Sequence, residues 1–316
     1  MRIAVLVLDD VFDSGLGLVM DALDIAAALA PSAELRWKTS LVGMRRRVHT
    51  HHGFLAPVEP VPRTRPDLVI VPALGAKSPD AVAAALARPD LREACALLRS
   101  WSAAGTSIAA ACTASFVLAE SGMLAGRHAT TTWWLAPFFR QRFPEVILDD
   151  TAMVVDDGGL ITAGAALAHL DLALWLIRRA SPSLARAVAQ HLLHDQRPSQ
   201  APYMTPDHLR HADPLVDRFE AWARRHLADF SMQAAARSTG ASERTLERRV
   251  RMVLGRSPVS FVQDLRVSVA LHRMATTDES LDDIAARVGY GDGPTLRALL
   301  RKKTGCGVKE LRKTQA

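Results

Sequence analysis

Apolar residues recur along the first two thirds of the chain with two alternating periods. Arg2–Leu8 is a nearly unbroken apolar run that reads as a buried strand, and Leu16–Ala30 follows with the three- and four-residue spacing of an amphipathic helix. Glu34–Gly43 and Asp67–Pro72 repeat the strand pattern, and Pro89–Ala103 repeats the helical one. Thr106–Ala111, a strand of small apolar residues, runs directly into helix-like Thr113–Gly122. Ala152–Val155 and Leu160–Ala163, around Asp156-Asp157-Gly158-Gly159, read as a hairpin with a type I′-like turn. Helices Leu167–Ala180 and Ser183–Leu193 close this region. Strands alternating with helices require crossover connections, which predicts an α/β domain with a mostly parallel sheet covered on both faces.

Periodicity stops between Asp195 and Pro214, where Pro198, Pro202, Pro206 and Pro214 gather with Ser199, Gln200 and Asp207. The predicted organisation is therefore a domain over 1–194, a linker over 195–212 and a second domain over 213–316. Beyond the linker only helical patterns occur, and they contain a repeat. Ala236-x-x-x-Gly240 is followed by Leu246 and Val250; Ala285-x-x-x-Gly289 is followed by Leu296 and Leu300. A small Ala lets a second helix cross close to the first, and Gly takes a left-handed turn without steric cost. Apolar residues four apart then pin the second helix and leave its other face free. Ser280 with Asp283 has the pattern of a capping box, and Ser257-Pro258 starts a long connecting helix.

Charge sharpens this picture. Residues 1–212 hold 20 Lys and Arg against 20 Asp and Glu, whereas 213–316 hold 19 against 13, so the whole net charge of +6 lies in the helical third. That asymmetry suits a module meeting a polyanion. The exposed positions of the first predicted reading helix are Ser242, Glu243, Arg244, Glu247, Arg248 and Arg251; those of the second include Thr295, Arg297, Arg301, Lys302 and Lys303. Arg can pair with guanine edges, Glu with cytosine, and both Arg and Lys with phosphate.

Ile284-Ala285, Val288-Gly289-Tyr290 and Lys303-Thr304-Gly305 resemble the signature of the AraC/XylS family of regulators, and Asp213 to Ala316 is similar to its double helix-turn-helix domain. The resemblance implies two reading helices in successive major grooves of double-stranded DNA, about one helical turn apart. It assigns base reading to Arg244, Glu247 and Arg248 in the first unit and to Gly293, Pro294, Thr295 and Ala298 in the second. The latter are poor readers, so Arg297 and Arg301 are expected on phosphate and the first unit is expected to supply most discrimination. Gly305-Cys306-Gly307-Val308 lacks the family's usual Ser-Pro, which leaves the last helix open.

Ala110-Ala111-Cys112-Thr113-Ala114 lies where a buried strand must turn into a helix, with the small flanking residues a nucleophile elbow requires. With Gly122-x3-Gly126-Arg127-His128-Ala129-Thr130-Thr131-Thr132-Trp133 after it, residues 1–193 resemble the class I glutamine amidotransferase-like, PfpI-type domain, of flavodoxin-like fold. Joined to the helical tail, the chain resembles the GlxA-type branch of AraC regulators. Enzymes of this fold keep a histidine beside the cysteine or elsewhere in the site. Here the next residue is Thr113, and Thr132 stands where many relatives have His. His128 and His169 are the remaining candidate bases. The reading favoured is a pocket bordered by Cys112, Gly75, Thr131 and Thr132, with Asp13 a weaker candidate for its acidic residue. The loop Pro72-Ala73-Leu74-Gly75 is positioned to offer backbone N–H groups to a carboxylate or carbonyl.

His49 and His51 would share one strand face as metal ligands do, but no third ligand is evident beside them and His52, so no metal and no cofactor is expected. Arg45-Arg46-Arg47 reads as a solvated turn. Three widely spaced cysteines, Cys95, Cys112 and Cys306, suit a reducing cytoplasm. The start lacks the layout of a signal peptide, and the apolar run Thr162–Ile177 is short and interrupted by His169 and Asp171, so no membrane contact is expected. The leading reading is a homodimeric, DNA-binding transcription regulator whose first domain senses a small-molecule effector or pairs two chains, with RNA polymerase a further candidate partner. The alternative is an amidase- or hydratase-like cysteine hydrolase using Cys112.

Overall fold

The computed structural model of the chain describes residues 1–30, 37–195, 197, 199–205, 209, 211, 213–277, 279–304 and 307–308. It forms two compact units, Met1–Ala201 and Pro202–Ala316. In the first, β1 (Arg2–Leu6) leads into α1 (Asp13–Leu29), followed by β2 (Lys38–Gly43). The short strands β3 (Arg47–His49), β4 (Leu55–Pro57) and β5 (Glu59–Pro60) precede β6 (Leu68–Val71). Then come α2 (Pro79–Leu86), α3 (Pro89–Ala103), β7 (Ser107–Ala111) and α4 (Ala114–Glu120). The unit closes with β8 (His128–Ala129), α5 (Ala136–Arg142), β9 (Ile147–Leu148), the hairpin β10 (Val154–Asp157) and β11 (Leu160–Ala163), α6 (Ala168–Ala180) and α7 (Pro182–His191).

Seven strands form one sheet in the order β10-β11-β7-β6-β1-β2-β5. Only β10 runs antiparallel to its neighbour. Alternate residues of the central strands serve opposite layers, because strand side chains alternate and both faces are covered. Ala4, Leu6, Val69, Val71, Ile108 and Ala110 pack with Val82, Leu91, Leu98 and Phe116 on one side. Ile3, Val5, Ile70, Ala109 and Ala111 pack with Val19, Leu23 and Leu172 on the other. Strand order reverses between β1 and β6, which puts the crevice of the fold at their carboxyl ends.

The hairpin turn is Gly158-Gly159, with φ of 62° and 86°, the left-handed pair that a type I′ turn needs. The first strand ends at Leu6, although Val7 still donates to the Val42 carbonyl (2.9 Å). Residues 34–36 of the expected strand Glu34–Gly43 lie outside the described residues. The pattern of the sequence did not announce β3, β4, β5, β8 and β9, which are too short to alternate. Nor did it announce α2, an alanine-rich helix whose start is nevertheless signalled by Ser78-Pro79, the Ser78 hydroxyl accepting from Ala81 N–H (3.3 Å).

Helices are the regular elements of the second unit among its described residues: α8 (Pro214–Arg225), α9 (Met232–Thr239), α10 (Glu243–Leu254), α11 (Pro258–Thr276), α12 (Leu281–Arg287) and α13 (Gly293–Thr304). Ser231, Ser242, Ser257 and Ser280 cap four of these helices, each hydroxyl accepting a backbone N–H at 3.2 Å. Such caps contribute about 1 kcal/mol each. Leu246, Val250, Leu296 and Leu300 are fully buried, as the repeat predicts. No helix among the described residues is long and apolar enough to cross a membrane.

The segment expected to begin the linker is fastened to the first unit. His194 Nε2 and Arg197 Nη2 reach the two oxygens of Asp171 (3.0 and 2.6 Å), and Ser199 bridges to Ala152. The division between units falls after Ala201 rather than after 194. Polar contacts hold this stretch, which is why it shows no apolar period. Pro198, Pro206 and Asp207 lie outside the described residues.

Candidate nucleic-acid interface and cysteine elbow

The two halves of the helical repeat fold alike down to their hydrogen bonds. After α9, Gly240 (φ 70°) donates to Arg237 O (3.2 Å) and Ala241 N–H to Ala236 O (3.0 Å); after α12, Gly289 (φ 84°) donates to Ala286 O (3.2 Å) and Tyr290 N–H to Ala285 O (2.8 Å). Each pair ends one helix and turns the chain into the next, giving two helix-turn-helix units, α9–α10 and α12–α13. They differ in what surrounds the glycine. A Cβ on Gly240 would meet nothing within 4 Å, whereas one on Gly289 would lie 2.5 Å from Ala228 O and 2.7 Å from Arg266 Nη2. Arg266, on α11, donates twice to Leu227 O (2.9 and 2.6 Å) and stacks over the Tyr290 ring at 4.9 Å. It thus ties the second turn to the loop that precedes α9.

Ser242, Arg244, Glu247, Arg248 and Arg251 are all exposed along α10. Ser242 caps the helix and donates to the Thr245 hydroxyl (2.9 Å). Glu247 and Arg251 pair with each other at 2.9 Å. An exposed pair of this spacing is worth only about 0.3–0.5 kcal/mol, so a nucleic-acid partner displaces it readily. Arg244 and Arg248 have no hydrogen-bonded or ionic partner among the described residues. Arg249 on the same helix is different: it reaches the buried Asp213 carboxylate, which also accepts from Leu215 and Val216 N–H (3.0 and 3.2 Å) and so fixes α10 to the start of α8.

On α13, Thr295, Arg297 and Arg301 are exposed, and Pro294, Arg297, Ala298, Arg301 and Lys302 line a shallow depression of about 500 Å³. Thr295 N–H is taken by the Asp292 carboxylate (2.7 Å), whose pKa these Thr295 hydrogen bonds lower. An ionised Asp292 at that end makes it less inviting to phosphate. Lys303 turns away to Asp264 (2.6 Å), which it shares with Arg256 (2.8 Å). Gly305-Cys306 lies outside the described residues.

In the first unit the elbow is real in its backbone. Cys112 has φ 55°, a left-handed conformation costing a side-chain-bearing residue about 1–3 kcal/mol, and it joins the end of β7 to α4. Its N–H donates to Ala163 O (2.9 Å), and its carbonyl accepts from the Ser115 hydroxyl (2.7 Å). The thiol is buried, which pushes its pKa up to about 11, with weaker opposition from hydrogen bonds to Thr113 and Thr132. The helix start therefore does not make a thiolate here.

Cys112, Thr131 and Thr132 do come together. The Thr131 hydroxyl pairs with Ser115 Oγ (2.6 Å) and reaches Cys112 O (3.4 Å). The buried Thr132 hydroxyl has no nitrogen or oxygen partner and faces the cysteine sulfur. Gly75 and Asp13 are occupied elsewhere. A Cβ on Gly75 would fall 2.0 Å from His51 Nδ1, so that histidine covers it. Asp13 accepts from His52 (Nδ1, 2.7 Å); burial raises its pKa, but hydrogen bonds from Thr50 and His52 outweigh this and leave it lowered.

The loop after β6 likewise has no backbone donors to spare at the expected positions. Ala73 N–H donates to His169 Nε2 (3.0 Å), Leu74 N–H to Thr113 Oγ1 (2.9 Å) and Gly75 N–H to Asp10 O (2.7 Å). Thr113 also donates to Leu74 O (2.7 Å), so the residue that replaces a histidine laces two loops together.

His169 is no base for the cysteine. Its Nδ1 is held by Ala166 O (2.6 Å), its Nε2 accepts from Ala73, and burial pulls its pKa down to about 4. Its ring fills the space that a Cβ on Gly15 would take (2.6 Å). His128 is exposed on β8, where its backbone N–H binds Asp157. The histidine cluster also resolves: β3 ends at His49, and His51 pairs with Asp10 (2.7 Å) as His52 does with Asp13. No group of metal-ligating side chains occurs among the described residues. A separate cavity of about 260 Å³ opens at the ends of β1 and β2, lined by Val7, Leu8, Met44, Val48, Asp9 and Arg45 among others.

Comparison with known proteins follows this division. Residues 1–179 match the DJ-1/PfpI family and residues 235–314 match a helix-turn-helix domain family. The HTH-type transcriptional regulator CdhR of Pseudomonas aeruginosa is 29% identical over 198 residues, 61% of this chain and 59% of that protein. The HTH-type transcriptional regulator GlxA of Rhizobium meliloti is 29% identical over 202 residues, 61% of each. The chain thus spans about three fifths of the length of these curated relatives. The crystal structure of an AraC family transcriptional regulator from Pseudomonas putida superposes with a TM-score of 0.51 at 20% identity, covering 60% of this chain and 98% of that one. That likeness establishes the fold of the first unit.

Proposed function

The chain belongs to the DJ-1/PfpI family, and from that premise, with the helix-turn-helix match beside it, we propose that it is a sequence-reading, DNA-binding transcription regulator. One observation carries the reading: two helix-turn-helix units with matching turns each present a helix bearing exposed arginines, Arg244 and Arg248 on α10 and Arg297 and Arg301 on α13. Arg244, Glu247, Arg248, Arg251 and Ser242 read or clamp the first site. Thr295, Arg297 and Arg301 hold mainly backbone at the second.

The first unit acts as a sensing and pairing domain of a cytoplasmic homodimer, without catalysis. Support comes from the protonated Cys112 thiol, the engaged N–H groups of residues 73–75 and the buried, neutral His169, which take the expected oxyanion donors and one candidate base out of use. The effector sits against Cys112, Thr131 and Thr132, where the buried Thr132 hydroxyl has the Cys112 sulfur beside it and no nitrogen or oxygen partner. A second candidate seat is the cavity of about 260 Å³ beside Asp9 and Arg45.

The test is selection from a genomic DNA-fragment library by the purified chain beside an Arg244→Ala/Arg248→Ala variant. Enrichment of particular fragments by the first and not the second is expected. Weak, unselective and equal binding by both would overturn the reading and return attention to Cys112.

A further inference from the structure

The chain leaving α7 is threaded back over the first unit by a glutamine. Gln200 is 1% exposed although it lies in a polar, proline-rich stretch. Its Nε2 donates to Thr131 O (2.8 Å) and Asp150 O (2.9 Å), with Ala152 O and the Thr130 hydroxyl at 3.4 Å. Its Oε1 accepts from Ala165 N–H (3.1 Å). The socket is therefore acceptors at one end and a donor at the other, the complement of a primary carboxamide. A glutamate would bring an oxygen against three carbonyl oxygens.

Gly164 makes the room: a Cβ there would lie 2.6 Å from Gln200 Oε1 and 2.7 Å from its Cδ. The backbone joins in, Gln200 N–H donating to Thr151 O (2.9 Å) and Ser199 Oγ to the same carbonyl (2.6 Å).

We infer that this socket is a carboxamide-specific binding site whose occupant is the chain's own Gln200, a latch that fastens Ser199 and Gln200 to the first unit and sets how much tether precedes the DNA-reading helices. The wall of the socket is also the wall of the elbow. Thr131 holds Gln200 by its carbonyl and reaches Ser115 and Cys112 by its hydroxyl, so a shift of residues 130–132 pulls on the latch. Opening it would free the chain beyond Arg197, which Asp171 still holds with His194, and would add a reach of roughly 10 Å. That reach corresponds to about three base pairs of duplex. This regulatory consequence rests on the DNA-binding function proposed above; the socket itself does not.

The experiment is hydrogen exchange by mass spectrometry on the full chain with Gly164→Ala, Gln200→Glu and Gln200→Ala. Loss of several buried hydrogen bonds should accelerate exchange of the Ala165 and Gln200 amides about tenfold or more in all three, with α12 unaffected. Gly164→Ala leaves Gln200 intact, so its agreement with the other two separates expulsion of the side chain from local damage. Propionamide, and not propionate, should restore Ala165 protection in Gln200→Ala. Unchanged protection in the variants overturns the latch, and equal rescue by both additives overturns its specificity.

A second arm uses operator fragments whose half-sites are moved apart in single steps up to about three base pairs, the added reach. The variants should bind these better than the intact chain does. Accelerated exchange with unchanged spacing preference rejects the tether while leaving the latch. Binding to no fragment at all rejects the DNA-reading function instead.

Discussion

Replacing each turn glycine of the helical repeat by alanine separates two energies that usually arrive together. Gly240 and Gly289 occupy equivalent positions with φ of 70° and 84°. Holding alanine in that left-handed region costs roughly 1–2 kcal/mol at either site. At Gly240 the new methyl enters open space, so nothing is added. At Gly289 it would stand 2.5 Å from a backbone oxygen, Ala228 O, and 2.7 Å from an Arg266 nitrogen already fastened to Leu227 O and Tyr290. Forcing an extra carbon into such packing costs about 1–3 kcal/mol more. Gly289→Ala should therefore lose roughly 2–5 kcal/mol and Gly240→Ala roughly 1–2 kcal/mol. Native-state exchange of the slowest amides in residues 213–304 reads the difference as about a five- to 150-fold faster rate in Gly289→Ala. Equal acceleration in the two variants would show that Ala228 and Arg266 yield freely, and the fastening assigned to the second turn would be wrong.

Other outcomes follow from single sites. Arg244→Ala and Arg248→Ala should each weaken binding to a selected operator by about 1–3 kcal/mol, whereas Arg297→Ala and Arg301→Ala should weaken all sequences alike and each reduce the salt slope by about one; anisotropy titrations over salt distinguish the two patterns. Cys112, with its pKa pushed to about 11, should be about 0.1% thiolate at pH 8 and resist iodoacetamide in the folded chain; a titration midpoint below 8 contradicts this. Buried His169 titrates near 4 in the fold against 6.5 when unfolded, so the unfolded chain takes up its proton first. The first unit should lose stability as pH falls from 6.5 towards 4, by about 2 kcal/mol between pH 7 and 5. Urea unfolding would show it, and His169→Gln should flatten the dependence.

The elements legible in the sequence were those whose apolar residues do one job over many positions. β6 and β7 are buried on both faces and read as continuous apolar runs, and α3 spans Pro89–Ala103 as its spacing predicts. The repeat was legible because Ala and Gly are demanded by close crossing and by a left-handed turn, constraints that few residues meet. Cys112 was legible for the same reason, its small neighbours announcing the turn. What could not be read was polar and long-range. Gln200 looked like linker because its partners lie 35 to 70 positions away and are mostly backbone atoms, which leave no trace in side-chain pattern. His51 covers Gly75, and His169, one of two candidate bases, has both ring nitrogens engaged; residue spacing announces neither contact. A hydrogen-bond partner is a property of the fold, and residue spacing alone carries little of it.

The lacing of residues 73–75 bears on how this scaffold could be redesigned. Placing a histidine at position 132 or 113 to recreate a hydrolase would supply a proton acceptor and little else. An attacking thiolate makes a negative oxygen that must be cradled, and the amides of residues 73–75 already point at His169, Thr113 and Asp10. Removing Thr113 to make way for the base would also cut the tie that positions Leu74. A hydrolytic design on this scaffold would therefore have to re-route those bonds as well as add a base.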